Sequence, residues 1–247
     1  MDQLGLIAHR LHFTTSVQYT QSMHWTDQFD LFLFDFDGVL VDTEPLHYAA
    51  YQEMCTQRGL TWAWSFEEYC SYAHGESQGI KRALYAQFPA LLAQEPNWDR
   101  LAAEKKRIYN RYLETDSLKL MPSVAELLMH LHARKKQCCV VTNSSEESVQ
   151  RIKTRLPVLN TIPHWLTRED YTHPKPAPEG YQKAIALCGS PEKVIGFEDT
   201  LKGFIALSQT SACAVLLCPA YRAHVADCIA LGGLHFESFS DIVIHSH

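Results

Sequence analysis

Asp30-Leu-Phe-Leu-Phe-Asp-Phe-Asp-Gly-Val-Leu-Val-Asp-Thr-Glu-Pro45 is the stretch that decides how the rest of the chain is read. Its first half is almost continuously apolar and aromatic, which suits a strand buried on both faces of a parallel sheet better than an edge strand. Asp35 and Asp37 then stand two apart where the apolar run ends, and Gly38 follows. Two carboxylates thus leave a buried strand on backbone that turns sharply. Negative charge is costly in such a place. Either a cation neutralises it or one carboxylate holds a shifted pKa.

The chain around this stretch has 247 residues, 46% hydrophobic and 20% charged, enough for a sizeable core in one or two domains. A net charge of −6 and a pI near 6.1 speak against a nucleic-acid backbone or an anionic membrane as the main partner. A small anionic substrate then needs a local basic pocket. The eight cysteines contain no C-x-x-C pair, and several fall in apolar runs, so they read as reduced core residues. No window reaches the ~18 consecutive apolar residues of a membrane span. The first 29 residues lack the apolar centre of a signal peptide, and the expected location is cytoplasmic. Residues 1–28 are polar and aperiodic, with His9, His12 and His24 at no metal-ligand spacing, and are expected to lie outside the fold.

After the opening strand, Glu44–Arg58 has helix formers and ends at Gly59. The pattern stays helical through Phe66–Tyr72, Glu76–Phe88 and Asp99–Leu113, with no strand signal between them. A helical subdomain over 44–117 is therefore expected, inserted into an α/β core made of 29–43 and 118–247. From Pro122 helices alternate with apolar strands at Cys138–Val141, His164–Leu166, Val194–Phe197 and Ala214–Cys218. That rhythm predicts a doubly wound parallel sheet. Trp62 and Trp64 read as core of the helical insertion.

Ligand sites of open α/β sheets form beyond the carboxyl ends of the strands. Three predicted strands end there in polar groups: Asp35 with Asp37, Thr142 with Asn143, and Glu198 with Asp199. Lys175 lies in the proline-rich loop His173-Pro-Lys-Pro-Ala-Pro-Glu between the second and third. The chemistry needing this set is phosphoryl transfer through a covalent aspartyl-phosphate. A carboxylate attacks phosphorus only when anionic repulsion is relieved, and Mg²⁺ held by hard oxygens does so. The Thr142 hydroxyl and the Lys175 ammonium would stabilise the equatorial phosphoryl oxygens. Asp37 would protonate the leaving oxygen and then deprotonate the attacking water.

Phe34-Asp-Phe-Asp-Gly-Val-Leu-Val-Asp-Thr-Glu-Pro resembles the first motif of the haloacid dehalogenase superfamily, in the branch of phosphoglycolate-phosphatase-like enzymes and beta-phosphoglucomutase. Val140-Val-Thr-Asn-Ser-Ser resembles the second motif, Pro174-Lys-Pro-Ala-Pro the third, and Gly196-Phe-Glu-Asp-Thr-Leu-Lys-Gly the fourth. The resemblance runs from roughly Phe29 to Ser240. It implies Asp35 as nucleophile and Mg²⁺ ligand, and Asp37 as acid/base with its backbone carbonyl on the metal. Thr142, Asn143 and Lys175 would hold the phosphoryl group. Asp199 would complete the metal site with Glu198 beside it, and the helical insertion would be a cap that selects the substrate. Asp37 separates this chain from dehalogenase-like and phosphonate-hydrolase-like members, which lack the second aspartate. His47, Ser77 and Lys81 are the candidate cap contacts. Where the mutase has Gly-x-Ser-Arg, this chain reads Gly75-Glu-Ser-Gln78, and the loss of the guanidinium opposes a second phosphate. The expectation is a Mg²⁺-dependent phosphatase acting on a small phosphorylated metabolite. Two other readings stay open: a sugar phosphomutase with the same nucleophile, and a non-catalytic phosphate-site binding protein.

Overall fold

The computed structural model describes residues 24–75 and 78–242. Six parallel strands form one sheet in the order β3-β2-β1-β4-β5-β6. They are β1 (Leu31–Phe34), β2 (Gln137–Val141), β3 (His164–Leu166), β4 (Val194–Glu198), β5 (Cys213–Leu217) and β6 (Leu234–Phe236). The opening stretch supplies the central strand. Phe34 is in register with Val140 on one side and Phe197 on the other, so three polar strand ends meet at one edge.

The alternation of a strand divides β1 between two apolar layers. Phe32 and Phe34 join the layer holding Val140, Ile195 and Phe197, where Phe34 and Phe197 stack with centroids 5.3 Å apart. Leu31 and Leu33 join the layer holding Val141, Tyr181, Ala184 and Leu207. Both faces are covered, which is why all four β1 residues are apolar and fully buried. The flanking helices are α6 (Val124–Ala133), α7 (Glu146–Arg155), α8 (Glu179–Leu187), α9 (Leu201–Ser208) and α10 (Val225–Ala230).

Five helices lie between β1 and α6: α1 (Glu44–Gln57), α2 (Phe66–Ala73), α3 (Gly79–Gln87), α4 (Pro89–Gln94) and α5 (Trp98–Thr115). Arg58 of the α1 C-terminus grips Glu104 of α5 with two hydrogen bonds, at 3.2 and 2.6 Å. Trp62 and Trp64 pack edge to face at 5.1 Å and both meet Phe88, as expected of core residues of the insertion. Ser65 and Glu68 close a capping box at the start of α2, a device contributing about 1 kcal/mol to a helix end. The two chain crossings into and out of this group are tied together. Val41 bridges Leu120 antiparallel, Met121 N–H donates to Leu40 at 3.0 Å, and Asp42 N–H donates to Lys119 at 2.9 Å.

One expectation is corrected at the N-terminal side. His24–Gln28 forms a 3-10 turn whose Trp25 is buried against Phe32 and Phe197, at centroid distances of 6.0 and 5.9 Å. Asp27 pairs with Arg134 at 2.6 Å. A buried indole outweighs the polar composition around it. Residues 1–23, including His9 and His12, lie outside the described residues. All eight cysteines are free thiols, and seven are buried. No described helix is long and apolar enough to cross a membrane.

Candidate active site

Asp35 follows the last residue of β1, and its N–H still bonds to Phe197 of β4 at 2.9 Å. The neighbouring strands therefore fix this backbone before any side chain is considered. Lys175 reaches the same point from the proline-rich loop. Its ammonium lies 2.5 Å from Asp35 Oδ1, 2.6 Å from Glu198 Oε1 and 2.8 Å from the Val141 carbonyl. The Tyr181 ring sits beneath the ammonium at 4.9 Å, and the Tyr181 hydroxyl donates to Glu198.

One ammonium is shared between two buried carboxylates, Asp35 and Glu198, with Asp199 close by, and the charges do not balance. Burial and the neighbouring Glu198 push Asp35 up despite Lys175. Asp199 is raised well above the usual carboxylate range by burial, then by Asp35 and Glu198. Lys175 is raised, because Asp35 and Glu198 outweigh the penalty of burying it. Oxygens of Asp35, Glu198 and Asp199 lie within 4.8 Å of one another, and Asp199 Oδ1 and Glu198 Oε2 are buried with no hydrogen-bond partner. Such orphaned acceptors in a hard-oxygen cluster fit a divalent cation.

Two glycines make room for this cluster. Gly38 has φ +78°, and a Cβ there would stand 2.2 Å from Asp199 Oδ2. A Cβ on Gly203 would stand 2.0 Å from Glu198 Oε2.

Asp37 is held apart from the cluster. Thr43 donates to its Oδ1 at 2.6 Å, Ser144 donates to its Oδ2 at 2.5 Å, and His47 Nε2 lies 3.8 Å from Oδ1. Burial opposes its ionisation, but His47 and the two hydroxyls prevail and hold its carboxyl below the usual range. His47 stacks on Tyr109 at 4.0 Å, and its Nδ1 meets the Lys105 ammonium of α5. Burial and Lys105 lower the pKa of His47. Burial also brings Lys105 down to about 8, against the pull of Glu44 and Asp37.

Asp35, Asp37, Thr142, Asn143, Lys175 and Asp199 all line one cavity of about 220 Å³. Asn143 Oδ1 accepts from Lys175 N–H at 3.3 Å and from the Tyr171 hydroxyl at 2.9 Å, so in this state it shapes the lysine loop. Thr142 Oγ1 accepts from Ser144 N–H at 3.0 Å. Glu198 is fully buried behind the cavity. Among the cap candidates, His47 lines the cavity. Lys81 does not, although its neighbour Ile80 does; Ser77 lies outside the described residues. The side chain of Asp37 turns to Thr43, Ser144 and His47, which satisfy its charge, so only its backbone carbonyl, the group expected on the metal, is left to face the carboxylate cluster.

Sequence reasoning missed several residues of this wall. Ser144 and Thr43 clasp Asp37, and Glu44, Tyr51, Tyr69, His74, Lys105 and Lys202 complete the lining. Ser144 and Thr43 lay inside motifs already singled out. Glu44 and Lys202 lay inside them too, whereas Tyr51, Tyr69, His74 and Lys105 carry no signal until the insertion is folded over the sheet.

The family model for haloacid dehalogenase-like hydrolases matches residues 29–209. Protein CbbY of Rhodobacter capsulatus is 27% identical over 194 residues, covering 76% of this chain and 84% of that protein. The phosphorylated carbohydrates phosphatase of Thermotoga maritima is 28% identical over 175 residues, covering 69% of this chain and 76% of that protein. The crystal structure of CbbY from Rhodobacter sphaeroides in complex with phosphate superposes with a TM-score of 0.67 at 21% identity, covering 86% of this chain and 95% of that one.

Proposed function

The chain belongs to the haloacid dehalogenase-like hydrolases, and from that premise we propose that it is a Mg²⁺-dependent phosphatase which hydrolyses a small phosphorylated metabolite through an aspartyl-phosphate on Asp35. The observation that carries this reading is the division of labour between two aspartates two residues apart. Asp35 sits with Lys175, Glu198 and Asp199, whereas Asp37 is held separately by hydroxyls and His47.

Asp35, Glu198 and Asp199, with the Asp37 carbonyl, would hold Mg²⁺, which supplies charge neutralisation between the entering phosphate and the carboxylates. Lys175 and Thr142 bind the phosphoryl oxygens, and Lys175 keeps one Asp35 oxygen oriented at 2.5 Å. In the first step an Asp35 oxygen bonds to phosphorus, the bond from phosphorus to the ester oxygen breaks, and Asp37 gives that oxygen its proton. Arrival of a phosphate dianion beside Asp37 raises its proton affinity, which makes it an acid for this step. In the second step water attacks the phosphorus of the aspartyl-phosphate, Asp37 takes the proton, and inorganic phosphate leaves with Asp35 restored.

Helices α1–α5 act as the cap, and their face of the cavity selects the leaving group. Tyr51, Tyr69 and Glu44 on that wall offer aromatic faces and an acceptor, which suits the hydroxyls of a carbohydrate or polyol phosphate. The name of the Thermotoga relative agrees with that class.

Purified protein with p-nitrophenyl phosphate and a panel of sugar and polyol phosphates tests the reading. Phosphate release that needs Mg²⁺ and disappears in Asp35→Asn is expected. Interconversion of sugar phosphates primed by a bisphosphate would favour the mutase, and no turnover on any of these would leave only a binding protein.

A further inference from the structure

Cys70 and His74 stand outside the chemistry assigned above, and Glu44, given there only as an acceptor on the cap wall, converges with them. Cys70 lies on α2 and His74 caps its C-terminus, four residues apart on one helical face. The His74 N–H bonds to the Cys70 carbonyl at 2.9 Å, so that last turn is intact. Glu44 enters from the first turn of α1, immediately after the crossing from the sheet. Ligand atoms of the three residues lie within 4.8 Å of one another.

The contacts inside this cluster are few. His74 Nε2 and Glu44 Oε2 pair at 3.1 Å, but the alignment is poor for a hydrogen bond. His74 is only 6% exposed and Cys70 is fully buried. A poorly aligned imidazole–carboxylate pair beside a buried thiol puts nitrogen, oxygen and sulfur donors around one point. Glu44 and His74 also line the active-site cavity, which gives an ion a route in and room for a water as fourth ligand.

We propose that Glu44, Cys70 and His74 form a second cation site, distinct from the carboxylate cluster, which takes a transition-series divalent ion such as Zn²⁺. The donor set decides the class of ion. One sulfur, one imidazole nitrogen and one carboxylate oxygen suit Zn²⁺ or Co²⁺, whereas Mg²⁺ takes oxygen ligands. Binding replaces the thiol proton: the Cys70 S–H bond breaks, the proton passes to solvent and the thiolate bonds to the metal. Arg222 approaches the same sulfur and favours the thiolate, against the burial that pushes the thiol up to about 11.

The site joins parts that must move if the insertion opens. His74 lies on the insertion and Glu44 at the crossing, and the His74 carbonyl accepts from Leu201 N–H at 3.1 Å, next to the Glu198-Asp199 motif. A bound ion would pin the insertion over the cavity and slow turnover even with Mg²⁺ saturating. This regulatory consequence rests on the phosphatase reading, but metal binding itself does not.

Cobalt spectroscopy on the full chain with saturating Mg²⁺ tests the site. One equivalent of Co²⁺ should give a thiolate-to-metal charge-transfer band that is lost in Cys70→Ser and retained in Asp199→Asn. His74→Gln, as a second variant, should weaken Zn²⁺ at least about tenfold in competition with a chromophoric chelator. Absence of the band, its survival in Cys70→Ser or its loss in Asp199→Asn would overturn the proposal. In turnover assays Cys70→Ser should keep its Mg²⁺-dependent rate and lose Zn²⁺ inhibition; equal inhibition of both proteins would overturn the regulatory role. A chain that binds Co²⁺ through Cys70 but hydrolyses no phosphate ester would sink the phosphatase reading alone.

Discussion

Gly203 illustrates how a single absent methyl group positions a buried carboxylate. Glu198 is fully buried and held by Tyr181 and Lys175, so it has nowhere to retreat from a Cβ placed 2.0 Å from its Oε2. Overpacking of this kind costs about 1–3 kcal/mol. Gly203→Ala is expected to lower the melting temperature, raise the Mg²⁺ concentration for half-maximal activity and cut kcat/KM by at least about tenfold. A variant with wild-type Mg²⁺ dependence would show that Glu198 does not set the metal site. Lys105 gives a prediction of opposite character. Its pKa lies at about 8 against an ordinary 10.5, so the unfolded chain binds more protons between those values and stability rises with pH across the window. Lys105→Met should flatten that alkaline rise in thermal melts while lowering turnover, because His47 loses its partner; an unchanged slope would contradict the burial argument. The acidic residues were legible because carboxylates at the ends of apolar strands violate the surrounding pattern. Lys105 was not, since Glu104-Lys-Lys-Arg107 on an amphipathic helix has the pattern of a solvated face, and only the packing of α5 against α1 turns it inward.

At the scale of elements, the loop before α8 shows how short backbone contacts deliver Lys175. Glu179 accepts from Thr172 N–H at 3.0 Å and His173 N–H at 2.8 Å, and pairs with Lys183 at 2.9 Å. The backbone amide of Thr172, then Lys183 and the amide of His173, hold the Glu179 carboxyl well below the usual range. A depressed carboxyl stabilises the fold above its unfolded pKa, about 4.3, and that contribution fades as the pH falls toward the folded value. Glu179→Gln should therefore accelerate hydrogen exchange at the amides of Thr172 and His173, raise KM more than it lowers kcat, and reduce the acid sensitivity of the loop. Unchanged exchange at both amides would argue that the prolines alone set the loop. The same scale separates what was readable in the chain from what was not. The apolar runs at Leu31–Phe34, Val194–Phe197 and His164–Leu166 are bounded by polar groups and became strands with little shift. α10, six residues long, carries too few side chains for a helical period to register, and β6 is defined only by its pairing with β5. The predicted helix ending at Phe88 does stop there, and Pro89 opens α4, where a fixed φ and a missing N–H suit a first helical turn.

Across the whole molecule, the sheet gathers negative charge at one edge and the helical insertion buries it. Asp35, Asp37 and Asp199 border a cavity roofed by residues of α1, α2, α3 and α5, with Lys175, Lys105 and Lys202 as its ammonium groups. The fold thus spends stability to hold Asp35, Glu198 and Asp199 within 4.8 Å of one another, and a cation that binds only the folded state returns it. Addition of Mg²⁺ to metal-free protein is expected to raise the melting temperature, by an amount growing with the logarithm of concentration once the site is filled. Asp199→Asn removes one of the repelling carboxylates, so its metal-free form should melt above metal-free wild type. Each 1 kcal/mol corresponds to about 2–4 °C for a chain of this size. The same variant should lose the Mg²⁺-dependent rise, and with it turnover. The two halves must appear together: a variant that is no more stable than wild type would mean the carboxylates are not in conflict, and one that still responds fully to Mg²⁺ would place the ion elsewhere in the molecule.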